Sequence, residues 1–351
     1  MAYEKKKTGQ DAGLQRLKSD LQSGTLKNAY IFYGEESYLR EYYLHQIKST
    51  LIPAACEEFN CHILDGRTLT AQALLEMAEA MPMMAEHTLI AAEDFDLFRL
   101  PEEQREKLIL LLEDLPPYCC LIFVYDTVEY KPNRTVKKLC AAIDRHVECV
   151  EFRVQDNSNL VPWVIRHFKS LDRNIDRQTA EYLIFTCGSL MTGLMPEIQK
   201  IAAYTRGKTV TAKEIDAVAD PVLSAEMFRF TDAVVQGNYD GAAVLMAELL
   251  TMQTDPLKIT AALGMQLRHI YTARLAIDAG KDRYWLMELW QPRSDYSVRL
   301  WMRAAEKTTT QWCADAVKQC QVLDRRLKSQ RGADGAQELK LLLVRLGAQR
   351  P

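Results

Sequence analysis

The sequence predicts an α/β domain built on a parallel, doubly wound sheet, followed by two all-helical domains. Three observations carry that expectation. Strand-like apolar runs alternate with helical stretches from Ala29 to Phe152. Several of those runs, Leu121-Ile122-Phe123-Val124 among them, are apolar at every position, as a strand must be when helices cover both faces of its sheet. Beyond Phe152 the strand runs stop and helical periodicity takes over.

The elements follow in order. An amphipathic helix comes first, with Leu14, Leu17 and Leu21 on one face. Strands are expected at Ala29–Tyr33, Phe59–Leu64, Thr88–Glu93, Cys119–Tyr125 and Val147–Phe152. Helices are expected between them at Ser37–Leu51, Ala71–Ala80, Glu102–Leu115 and Arg134–Ile143. Thr70 suits an N-cap, Pro101 a first helical turn, and Pro116-Pro117 a helix stop.

The helical remainder divides at Asp220-Pro221. Its first part holds helices from Asn157 or Ser158 to Phe168, at Asp176–Thr186, and at Leu190–Tyr204 with interruptions at Gly193 and Pro196. Thr211–Glu214 reads as a capping box. The second part holds Glu226–Val235, Gly241–Met252, Pro256–Ala279, Val298–Thr308, Gln311–Arg331 and Ala336–Leu346. The resulting domains are 1–153, 154–220 and 221–351; ~100–200 residues per domain predicts two or three in 351 residues, and the middle one is a small helical module.

Composition narrows the function classes. No apolar run reaches the ~18 residues of a membrane span, and the opening MAYEKKKTGQ lacks the apolar core of a secretory signal. A cytoplasmic protein without membrane partners is expected. The nine cysteines form no CxxC pair and the six histidines are scattered, so no metal site and no disulfide framework is expected. A net charge of −3 argues against a general polyanion binder. The stretch Lys318–Arg331 differs, because Lys318, Arg325, Arg326, Lys328 and Arg331 face one acid, Asp324. Such a helix is either a solvated face or a possible DNA contact.

The most telling segment is YIFYGEESYL, residues Tyr30–Leu39. A buried strand runs into Gly34 and then directly into a helix near Ser37. An ATPase of this build places a GxxxxGK[ST] loop there, whose backbone N–H groups and lysine hold the phosphates. Gly34, Glu35, Glu36 and Ser37 supply one glycine, no lysine and two carboxylates that repel a polyanion. The same acids also suit the positive end of a helix dipole. Glu93-Asp94 ends the third strand and Asp126-Thr127 the fourth, where active ATPases place metal-binding and phosphate-sensing groups. Without the lysine, these read as structural loop residues.

Together these segments resemble the delta subunits of bacterial DNA polymerase III clamp loaders along essentially the whole chain. FYGEESYLREYYLHQIK, ALLEMAEAMPMMAEHTLIAAED and CCLIFVYDTVEYKPNRTVKKL carry the resemblance in the α/β part. MFRFTDAVVQGNYDGAAVLMAELL, DPLKITAALGMQLRHIYTAR and VLDRRLKSQRGADGAQELKLLLVRL carry it in the helical part. The resemblance implies an AAA+-like domain with a degenerate P-loop, a small lid and a helical collar for oligomerisation. It implies a subunit that binds and opens the sliding clamp (beta) without hydrolysing ATP, within the DNA polymerase III holoenzyme. Implied partners are that clamp, the other clamp-loader subunits (tau/gamma and delta prime) and primed DNA, with no cofactor.

In the family a helix ending in an exposed hydrophobic pair enters a pocket of the clamp. That helix corresponds here to Ala71–Met81, and the pair to Met83 and Met84 after Pro82. Methionine suits a partner's apolar pocket because it is unbranched and polarizable, although the family often carries a larger aromatic there. Most of the 13 methionines should instead fill core gaps. In the collar, Leu339, Leu342, Leu343 and Leu346 form one apolar stripe, facing either this chain or another subunit. Trp285, Trp290, Trp301 and Trp312 are read as core. Two other classes stay open on the residues alone: a divergent AAA+-type ATPase, and a DNA-binding accessory protein.

Overall fold

A computed structural model describes residues 12–292, 295–329 and 334–348. The chain divides into two compact units, Met1–Val154 and Gln155–Pro351. The first opens with α1 (Ala12–Ser23), β1 (Ala29–Tyr33), α2 (Ser37–Leu51) and β2 (Cys61–Asp65). It continues through α3 (Ala71–Glu79), β3 (Thr88–Glu93), α4 (Glu102–Glu113), β4 (Cys119–Val124), α5 (Lys137–His146) and β5 (Glu148–Glu151). The strands lie in the order β2-β3-β4-β1-β5, and all pair in parallel.

Side chains alternate across this sheet with the period of two that a strand imposes. Tyr30 and Phe32 of β1 pack with Leu14, Leu17 and Ile47 of α1 and α2 on one face. Ile31 packs on the other with Leu74, Leu108 and Leu139 of α3, α4 and α5. Strand β1 sits between β4 and β5, so the turn that leaves it lies where the strand order reverses. Open α/β sheets place ligands at that point.

Several local expectations are corrected. Phe59 and Asn60 belong to a helical turn, Glu57–Asn60, and the strand begins at Cys61. The helix expected from Arg134 begins at Lys137. Asn133 explains the shift, because its side chain accepts from the Thr135 N–H (3.1 Å) and hydroxyl (2.7 Å) and holds 133–136 in a turn. Helix α3 ends at Glu79 rather than Met81, since Ala80 is extended and the residue before a proline avoids the helical region. The Tyr118 hydroxyl donates to the Glu79 carbonyl (2.9 Å), satisfying one of the last groups of the helix.

The second unit begins with α6 (Asn157–Ser170), β6 (Asn174–Ile175), α7 (Arg177–Cys187), α8 (Met191–Tyr204), β7 (Thr209–Val210) and α9 (Ala212–Val218). Strands do not stop at Phe152, because β6 and β7 form a short parallel pair. Helix α8 is continuous through Gly193 and Pro196. Pro196 is its sixth residue and lies exposed, so the i−4 carbonyl that would accept from the missing N–H is on the solvent side. The capping box before α9 is present: Thr211 N–H donates to Glu214 Oε2 (2.8 Å), and the Thr211 hydroxyl accepts from the Lys213 N–H (3.3 Å).

Among the described residues, seven helices follow: α10 (Leu223–Gln236), α11 (Tyr239–Thr251), α12 (Pro256–Asp278), α13 (Arg283–Trp290), α14 (Asp295–Glu306), α15 (Thr310–Ser329) and α16 (Gly335–Ala348). They share one core, to which α16 contributes Leu339, Leu342, Leu343 and Leu346, so that stripe faces this chain. Trp301 and Trp312 are buried there, Trp290 packs against the cluster, and Trp285 is exposed. All nine cysteines are free thiols. No helix among the described residues is long and apolar enough to cross a membrane.

Strand β1 positions the turn considered next, so its packing can be tested directly. Phe32 is fully buried, edge-on to Phe152 (5.0 Å) and Tyr30 (5.8 Å). Phe32→Ala should destabilise the fold by about 3–5 kcal/mol, read as an earlier urea midpoint by circular dichroism.

Candidate functional site

Three residues, Gly34, Glu35 and Glu36, separate β1 from α2. Gly34 has φ +120°, and a Cβ there would lie 2.2 Å from the Phe152 carbonyl oxygen. The Glu36 N–H donates to that same carbonyl (3.0 Å), and the Phe152 N–H donates to the Tyr33 carbonyl (2.7 Å). The turn is therefore drawn down onto the chain just past β5. Glycine is needed because only a residue without Cβ fits both the dihedral and the contact. A phosphate cradle needs successive backbone N–H groups turned toward a cavity, and here the Glu36 N–H is spent on the chain just past β5. Glu36 occupies the N-cap position of α2 and is buried, while Glu35 is exposed.

Side chains tie the ends of β3 and β4 to this turn. Arg40, buried in the first turn of α2, donates to the Gly34 carbonyl (2.9 Å) and pairs with Asp126. Asp94 is buried with φ +57°. Its carboxylate accepts from the N–H groups of Asp126 (2.9 Å), Thr127 (3.0 Å) and Val128 (3.0 Å), and from the Thr127 hydroxyl (2.5 Å). Burial alone would raise the Asp94 carboxyl. The Thr127 hydroxyl and the three N–H groups outweigh burial and hold it below the ordinary carboxylate range.

A cleft of about 420 Å³ remains beside the turn, lined by Tyr33, Tyr125, Tyr130, Glu35, Asp126 and Glu151 among others, with no lysine or arginine. Burial, and after it the Glu151 charge, pushes the Tyr33 hydroxyl up to about 12. A place that disfavours a phenolate disfavours a triphosphate more. No cluster of three or more His, Cys, Asp or Glu fit to hold a metal occurs among the described residues.

The second candidate lies at the opposite end of the sheet, between α3 and β3. Pro82 is half-buried, whereas Met83 is 57% and Met84 91% exposed, with Met81 exposed beside them. Met84 holds φ +54°, a region that costs an L-residue about 1–2 kcal/mol. An apolar residue whose backbone is strained and whose side chain is solvated adds nothing to folding stability. Residues in such conformations cluster at functional sites. The sequence pointed to Met83 and Met84 but not to Met81 or to the backbone strain.

The basic helix α15 turns Lys318 and Arg325, seven residues apart, to solvent on one side. Arg326 pairs with Glu338 (2.9 Å) and Lys328 with Asp324 (2.8 Å), so two of the four described cations are engaged within the chain. Arg331 lies outside the described residues.

A parallel sheet in this order, with its switch-point turn closed and acid-lined, defines an AAA+-like frame without a phosphate cradle. Two family descriptions match the chain: "DNA polymerase III, delta subunit" over residues 30–152, and "DNA polymerase III delta subunit, C-terminal domain" over residues 224–346. The chain is 21% identical to DNA polymerase III subunit delta of Bacillus subtilis, over 74% of this chain and 76% of the relative. It is 22% identical to a probable DNA polymerase III subunit delta of Aquifex aeolicus, over 75% of each. The solved B. subtilis DNA clamp loader delta protein shares the fold, with a TM-score of 0.50 at 20% identity, covering 95% of this chain and 99% of that one. The chain belongs to the family of DNA polymerase III delta subunits, and is thus a clamp-loader component of DNA replication.

Two substitutions test the closed turn. Arg40→Ala should destabilise the protein by about 1–3 kcal/mol without creating nucleotide binding, measured by thermal melts with and without ATP. Asp94 follows the linkage rule for a depressed carboxyl. Its stabilisation is present above the unfolded-state value of about 4 and is lost as pH falls through the folded-state value. Asp94→Asn should therefore lower stability at pH 7 by about 1–3 kcal/mol and flatten the acid limb below about pH 4. Denaturation midpoints between pH 2 and pH 7 read both effects.

Proposed function

We propose that this chain binds the ring-shaped sliding clamp through Pro82, Met83 and Met84, and helps to open it without hydrolysing ATP. The observation that carries the reading is Met84, 91% exposed in a left-handed conformation that folding alone does not reward. Pro82 ends the path of α3, so the two methionine side chains project from a tip instead of lying on a packed face. A thioether chain fills an apolar pocket on a partner with little shape demand of its own.

The absence of ATP chemistry is supported by the three-residue turn, its closure onto Phe152, and the acidic cleft beside it. The energy for opening would come from nucleotide bound by neighbouring subunits, which select a ring arrangement able to hold an open clamp. In this reading residues 154–220 are the lid and 221–351 the collar that meets tau/gamma and delta prime subunits. Lys318 and Arg325, exposed on α15, contact primed DNA phosphates, and the protein works in the cytoplasm.

The decisive test is binding of the purified chain to its cognate sliding clamp without ATP, by surface plasmon resonance. Met83→Ala combined with Met84→Ala should weaken binding by about 100-fold or more, as loss of two anchor side chains does, with an unchanged melting temperature. Unaltered affinity in the folded double variant would overturn the site. Equilibrium dialysis at millimolar ATP should show no nucleotide retained.

A further inference from the structure

We propose that Asn60 is a positioning residue that holds the methionine tip in its projecting conformation. The inference rests on the reading of Met83 and Met84 as the clamp contact. Asn60 ends the helical turn Glu57–Asn60, directly before the edge strand β2, and its side chain is fully buried. Its amide addresses both backbone groups of one residue 23 positions later. The Met83 N–H donates to Asn60 Oδ1 (2.7 Å), and Asn60 Nδ2 donates to the Met83 carbonyl (2.8 Å). The same Nδ2 donates to the Cys56 carbonyl (2.9 Å), which fixes the amide plane. The Cys56 thiol donates in turn to the Met84 carbonyl (3.2 Å).

The platform is itself anchored. The Cys56 N–H closes a tight turn onto the Pro53 carbonyl (2.8 Å), and Glu57 pairs with Lys48 of α2 (2.7 Å). The tip thus receives three hydrogen bonds from residues 56–60. Its own side chains are turned outward, and Met84 adopts a conformation that an isolated L-residue leaves. A buried asparagine is suited to this work because it offers a donor and an acceptor in one plane, matching a peptide group. Leucine would fill the same space and offer neither.

A pin and a contact have different kinetic signatures. Releasing the pin lets the tip sample other conformations, so the binding-competent fraction falls and the apparent affinity falls with it. Because the bound state keeps its contacts, that loss appears in the association rate. Loss of a contact side chain appears in dissociation instead.

Asn60→Ala, Cys56→Ala and the Met83→Ala/Met84→Ala double variant are compared by surface plasmon resonance on the immobilised sliding clamp. Asn60→Ala is expected to lower the association rate about 10-fold, the effect of a competent fraction near one tenth, with an unchanged dissociation rate. Cys56→Ala should act in the same direction and less. Unchanged association for a folded Asn60→Ala overturns the inference, as does a faster dissociation with normal association, which would make Asn60 part of the contact. If the double methionine variant binds normally, the clamp reading itself fails, separately from the pin. Where Asn60→Ala does not fold, hydrogen exchange of the unaltered protein decides. The Met83 amide should exchange at least 10-fold more slowly than exposed amides of loops, and exchange at their rate overturns the pin.

Discussion

The α/β unit depends on one close approach, the Gly34 backbone against the Phe152 carbonyl. It shortens the β1–α2 connection to three residues and spends the Glu36 N–H on the chain past β5. Once the turn is down, the cavity that remains is walled by tyrosines and carboxylates. Arg40 and Asp94 then satisfy the strand ends that a nucleotide would otherwise address. The sheet and its two helical layers are set by apolar pattern. The closure of the turn is a local event in the connection between one strand and one helix.

The tip at the other end of the sheet has the opposite character. The turn is closed by buried groups that serve folding. The tip presents side chains that folding leaves in water. What they share is that backbone geometry is held by polar side chains far away in sequence: Asp94 for the β4 loop, Asn60 for Met83. In both, a left-handed L-residue lies in the same knot of hydrogen bonds: Asp94 itself in the first, and Met84, next to Met83, in the second.

Much of the fold was legible in the residues. β1, α2 and β3 fall at the expected bounds, because all-apolar runs and clear helix starts leave few alternatives. Helix α13 was missed because RYWLMELW is only eight residues long, about two turns, and its cap, Asp282, lies among other turn residues. β6 and β7 are two residues each, too short for any period to register. The closed turn was legible through Gly34, Glu35 and Glu36, and the tip through Pro82. Asn60, Arg40 and Asp94 were not assigned these partners, since an asparagine bonding 23 residues ahead leaves no trace in local pattern. Pairings of that kind become visible only when the sheet brings β2 and the segment before β3 side by side.

The knot formed by Asp94, Thr127, Asp126 and Arg40 also bears on how the fold is held in the cell. A protein that binds nucleotide draws part of its stability from the ligand, rising and falling with ligand concentration by mass action. In the proposed reading, where no nucleotide binds and the strand ends are tied by internal groups, that linkage is absent. A subunit held in this way would keep the same shape and the same resistance to unfolding in a growing cell and in an energy-starved one.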